Sequence, residues 1–226
     1  MDIHKPKPWH GLREFLKEYL IIVIGVLTAL AAEQVAEWAH VQTEVREARE
    51  ALHTEIAGNL RALVLEARED ACYQQRLAAV AAWAAGDSPK PPPGYGPLMS
   101  ALSSNAWETA KTGAAPHMAQ NERLAFAVFY DDVENQMSLI RSLRQQAIEI
   151  GGYRYRDGLD PQEAHALIRL AGQTRVLMVG QARNVPYMLA EGRKLGVEPG
   201  PKDSEEEARV DHLCAAYPPQ ATAGAQ

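Results

Sequence analysis

The chain has 226 residues and a formal net charge of −6, from 23 Lys and Arg against 29 Asp and Glu. That length suits one domain plus an anchor, and the acidic balance argues against a nucleic-acid partner, which would call for a basic face. Two cysteines, Cys72 and Cys214, leave no disulfide framework and no CxxC metal or redox pair.

Alanine is abundant and β-branched runs are scarce after residue 30, which favours helix over sheet. Pro6, Pro8 and Gly11 predict a leader without regular structure over residues 1–12, with a helix beginning near Leu12. The stretch Glu18–Glu33 follows. Its run from Tyr19 to Ala32 carries no charge: Tyr19, Leu20, Ile21, Ile22, Val23, Ile24, Gly25, Val26, Leu27, Thr28, Ala29, Leu30, Ala31 and Ala32. As a helix this run rises about 21 Å, short of a hydrocarbon core of roughly 30 Å. Phe15, Leu16, Val35, Trp38 and a snorkelling Lys17 extend it, and Trp9, Tyr19 and Trp38 stand where interfacial aromatics belong. Residues 13–38 are therefore expected to form a transmembrane helix. A cleaved signal peptide, with Ala29-Leu30-Ala31 as its small-residue site, and a buried core helix are the competing readings. Lys5, Lys7, Arg13 and Lys17 precede the span and only Arg46 and Arg49 follow closely. The N-terminus is thus expected in the cytoplasm and the bulk outside, in a bacterial inner membrane. Gly25, Ala29 and Ala32 share one helix face that could seat a second helix or simply face lipid.

Beyond the span, residues 39–196 read as a helical bundle. Val41, Val45, Ala48, Leu52, Ile56, Leu60, Leu63 and Ala67 recur at spacings of three and four, one apolar stripe of a 3.6-residue period. Glu44, Glu47, Arg49, Glu50, Arg61, Glu66, Arg68 and Glu69 are expected on the other faces. The pattern continues through Leu77, Val80 and Ala84 to Gly86, with Gly58-Asn59 as a weak point. A Pro-rich loop occupies 86–97. Leu98–Gly113 reads as short helix, with a capping box from Ser104 or Asn105 to Glu108, Trp107 as packing anchor and Gly113 as C-cap. A second long helix is expected from Met118 to Tyr155, its stripe supplied by Leu124, Val128, Val133, Met137, Ile140, Leu143, Ala147 and Ile150. Asp160-Pro161-Gln162-Glu163 starts a third, which Pro186 should kink or break before Gly196. From residue 197 to 226, prolines and the acidic run Glu205–Glu207 predict a disordered tail. Short loops imply antiparallel neighbours. The expected fold is all-α: a transmembrane helix continuing into an antiparallel helical bundle.

Chemistry is sparse. Glu37-x-x-His40 and Glu50-x-x-His53 each place two ligand types on one helix face, as in di-iron bundles, but those draw one motif from each of two helices and here both lie on one. They are the metal-ligand candidates of an alternative, metal-dependent enzyme; ordinary solvated side chains are the bland reading. Tyr153, Arg154, Tyr155 and Arg156 cluster at a helix end, where they could bind an anion or only complement the helix dipole. No Gly-x-Ser-x-Gly elbow and no Gly-rich phosphate loop is present. No cofactor is expected. Cys72 and Cys214 could pair in an oxidising compartment, but nothing in the pattern forces them together.

Lys17-Glu-Tyr-Leu-Ile-Ile-Val-Ile-Gly-Val-Leu-Thr-Ala-Leu30 resembles the N-terminal anchor of a family of small, uncharacterised bacterial single-pass membrane proteins, and Ser104-Asn-Ala-Trp-Glu-Thr-Ala-Lys-Thr-Gly113 is similar to that family's second recurring piece. The resemblance covers about the first half of the chain. It implies an extra-cytoplasmic helical region and no catalytic residues; the Pro-rich loop and acidic tail depart from it. The expected function is a membrane-anchored interaction or scaffold module that contacts the lipid bilayer and either a second copy of itself or a membrane or periplasmic protein, with a ligand-sensing extra-cytoplasmic bundle as a further alternative.

Overall fold

The computed structural model describes residues 11–92, 101–156 and 158–218. Most of the leader, residues 93–97 of the Pro-rich loop and the end of the tail from 219 lie outside the described residues. The elements are α1 (Leu12–Ala84), α2 (Asn105–Thr112), a 3-10 turn (Ala115–His117), α3 (Gln120–Tyr153), α4 (Pro161–Lys194) and α5 (Ser204–Ala216), with no strand among the described residues. The all-α expectation holds, including the long N-terminal helix.

α1 runs 73 residues without a proline. It closes at Gly86, whose φ of +89° lets the amides of Gly86 and Asp87 turn back onto the carbonyls of Trp83 and Ala82. The chain divides into two units, Met1–Glu47 and Ala48–Gln226, and α1 contributes to both.

The second unit is a bundle whose buried positions alternate by three and four residues. In α1 they are Leu52, Ile56, Asn59, Leu63, Glu66, Asp70, Tyr73, Leu77 and Val80; in α3, Phe126, Phe129, Val133, Gln136, Ile140, Leu143, Ala147 and Ile150; in α4, Leu167, Ala171, Thr174, Met178, Gln181, Val185, Met188 and Gly192. This is the spacing of a coiled-coil seam. Pairings give the directions. Arg49 meets Glu122 and Glu55 meets Tyr130, so α1 and α3 run parallel. Glu66 meets Gln181, and Leu60 lies against Gly192, so α4 runs against α1. α3 and α4 are antiparallel, as their short loop implies. The segment between α1 and α3 is long enough to return the chain to the starting end, so that pair is not.

Several expectations need correcting. Arg61, Glu66 and Glu69 do not fill outer faces of α1; they are 8%, 3% and 2% exposed, Arg61 against Glu207 of α5 and Glu66 against Gln181 of α4. Leu124 and Val128 are exposed, and Phe126 and Phe129 take their place in the α3 core. Ser104 makes no side-chain cap. Instead Glu55, from α1, accepts the Ala106 amide at 3.1 Å and the Ser103 hydroxyl at 2.6 Å, so the α2 N-terminus is capped across the fold. Pro186 does not break α4. It removes one helical hydrogen bond, but buried Val185 and Met188 on either side hold the turn in place.

The tail is ordered over residues 204–216. Asp203 caps α5 through the amides of Glu205 and Glu206, Glu207 reaches Arg61 at 2.6 Å and also Arg68, and Asp211 reaches Arg68 at 2.8 Å. Cys72 and Cys214 form a disulfide, with Cα atoms 5.1 Å apart. The acidic run that composition marks as disordered is ordered by two arginines on α1.

Candidate functional site

In the first unit, the chemistry is that of an exposed apolar helix. One 18-residue window of α1 has a mean hydropathy of 2.0, enough to cross a membrane by length and composition, and none of it is buried. Among the described residues of this chain nothing buries the segment. Leu20, Ile21, Ile22, Val26, Leu27 and Leu30 are all more than half exposed, and so is Trp38. Thr28, the one aliphatic hydroxyl in the uncharged run, donates to the Ile24 carbonyl at 2.8 Å and so is satisfied within its own helix. Gly25, Ala29 and Ala32 are exposed, and a Cβ built on Gly25 would meet nothing within 4 Å.

The Glu-x-x-His residues do not converge. Glu37 is exposed; His40 pairs with Glu44 at 3.2 Å. Glu50 is exposed, while His53 lies against the Phe126 ring, 6.0 Å between centroids. Among the described residues no three His, Cys, Asp or Glu side chains are grouped to hold a metal ion.

Sequence periodicity misses a polar layer in the bundle core. The Glu66 carboxylate accepts from the Gln181 amide at 2.6 Å. Asp70, one turn along, is 5% exposed, its Oδ2 has no hydrogen-bond partner, and burial pushes its carboxyl up to about 7. Gln136 occupies a core position of α3 with an unpartnered amide nitrogen. These residues are polar, so a hydrophobic pattern assigns them to solvent. The three-four alternation that Leu63, Tyr73 and Leu77 continue across them is the signal that places them inside. Polar groups at such positions fix helix register at a cost in stability.

At the other end of the second unit the helix ends border a half-open cavity of about 300 Å³. Val80, Trp83 and the buried Arg76 line it from α1, Pro91 and Pro92 from the loop, and Gly151, Gly152, Arg154 and Tyr155 from the end of α3. Arg76 donates to the Tyr73 hydroxyl at 3.2 Å, and its guanidinium sits 5.3 Å from the centre of that ring. Of the basic-aromatic cluster, Arg154 and Tyr155 reach the cavity; Arg156 instead covers the Tyr153 ring and pairs with Glu163. Burial raises the Tyr217 phenol, and the cations Arg76 and Arg154 beside it act in the opposite direction.

No family model, no curated protein and no solved structure matches the chain.

Proposed function

We propose that the chain is a membrane-anchored helical interaction module. Residues 13–38 span a bacterial inner membrane, the leader stands in the cytoplasm, and the bundle works on the extra-cytoplasmic side. The exposed apolar half of α1 carries this reading: in water its large side chains would forfeit the burial that makes such side chains favourable, and a bilayer supplies it. The orientation has two separate supports. Lys and Arg are concentrated before the span. A bond between Cys72 and Cys214 belongs to an oxidising compartment. The similarity of residues 17–30 to the anchors of small single-pass proteins agrees. The bundle keeps apolar side chains off its seam, with Val176 72% and Tyr187 46% exposed on α4, and these suit contact with a protein partner or a second copy.

Alkaline phosphatase fused after Gln226 tests the topology. Activity retained in carbonate-washed membranes is the expected result. Soluble activity would mean that the stretch is a cleaved signal. A stable but inactive fusion would put the bundle in the cytoplasm and overturn the orientation.

A further inference from the structure

The cavity at the joint end of α1 and α3 has features that packing alone does not require. Gly151 and Gly152 lie inside the last turn of α3 and neither has a positive φ, so neither is demanded by backbone conformation. A Cβ built on either would meet nothing within 4 Å, so no neighbour demands a small residue. The consequence of these two glycines is a bare cavity wall. The rest of the lining includes the Trp83 and Tyr155 rings and the two prolines, and two guanidiniums, Arg76 and Arg154, border it. Flat apolar surfaces accept a ring, and a guanidinium matches a carboxylate with two parallel hydrogen bonds. At about 300 Å³ the cavity stands at the small end of the ligand-pocket range of roughly 300–1,000 Å³.

We propose that this cavity binds a small aromatic carboxylate, its ring against Trp83 and the loop prolines and its carboxylate on Arg154. The inference does not rest on the membrane topology. It gives a role to Arg154 and Tyr155, the members of the basic-aromatic cluster that reach the cavity.

The test is calorimetry on the full chain in lipid nanodiscs, with phenylacetate as the probe. Two comparators separate its halves: 2-phenylethanol keeps the ring without the charge, and acetate keeps the charge without the ring. Phenylacetate should bind saturably at one site per chain, and each comparator at least about tenfold more weakly. Arg154→Gln should weaken phenylacetate about tenfold. Gly152→Leu fills the cavity and should abolish binding while the melting temperature holds or rises. Absence of saturable phenylacetate binding, equal binding of 2-phenylethanol, or undiminished binding to Gly152→Leu would each overturn the proposal.

Discussion

In the first half of α1, Leu20, Ile21 and Ile22 are 58%, 61% and 65% exposed; in the second half, Glu66, Glu69 and Asp70 are 3%, 2% and 5% exposed. One continuous helix thus exposes its aliphatic side chains and buries its carboxylates. The difference lies in how each half meets its surroundings. Within the first half the uncharged run Tyr19–Ala32 is apolar all round, and on the proposed reading a uniform solvent such as lipid would meet it without specific partners. The second half is polar in composition but periodic in placement. Its neighbours are chosen side chain by side chain: Glu55 by Tyr130 and the α2 N-terminus, Glu66 by Gln181, Arg61 by Glu207. Hydropathy describes the first kind of burial, and register describes the second.

The largest test of this contrast charges the first half. Ile22→Arg with Val26→Arg should cost roughly 5–7 kcal/mol of insertion free energy, at about 2.5–3.5 per arginine near the helix centre. The chain should leave the carbonate-washed membrane fraction while the bundle's denaturant midpoint is unmoved. Retention in the membrane would remove the anchor reading.

Next comes the covalent partner of the second half. The Cys72–Cys214 bond closes a separation of 142 residues. Cys214→Ser should lower unfolding free energy by about 2–5 kcal/mol in urea melts, an effect that reducing agent reproduces in the parent chain. Equal stability with and without reductant would mean that the ion pairs of α5 suffice to hold it.

Asp70 gives a pH signature. Its folded carboxyl titrates near 7, above its unfolded value of 3.8, because burial disfavours the charged form. Between these values the fold keeps a proton that the unfolded chain has lost. Stability therefore falls as pH rises through that window and levels off above it, by up to about 4 kcal/mol in all. Asp70→Asn should flatten this part of the profile, measured as unfolding free energy from pH 4 to 8. An unchanged slope would assign the dependence to other groups.

Two glycine-to-alanine changes sharpen the contrast least in size but most in sign. At Gly192 a Cβ would stand 2.5 Å from the Leu60 side chain, which is fully buried, so Gly192→Ala should cost about 1–3 kcal/mol. At Gly58 a Cβ meets nothing within 4 Å, so Gly58→Ala should stabilise the bundle by about 0.5–1 kcal/mol through helix propensity. Thermal melts of the two variants should move in opposite directions.

Much of the fold was legible in residues alone. The starts at Leu12 and Asp160, the stops at Gly86 and Gly196, and the stripe from Leu52 to Leu63 all follow from local rules, because caps, left-handed glycines and apolar period act within a turn or two. The candidate cavity was only half visible. Its Arg154 and Tyr155 stood out as a cluster, but nothing local links them to Trp83, some seventy residues earlier, or to Arg76.

What the sequence determined by itself was the helical class, the apolar segment and the helix limits, since these depend on composition, period and neighbours along the chain. Only the tertiary structure decided that Glu66 and Asp70 lie inside, that α1 and α3 run parallel, that Pro186 is tolerated, and that the acidic tail folds onto Arg61 and Arg68 and joins Cys214 to Cys72. Each of these depends on a partner distant in sequence. A carboxylate, a proline or a cysteine carries no local mark of what will face it.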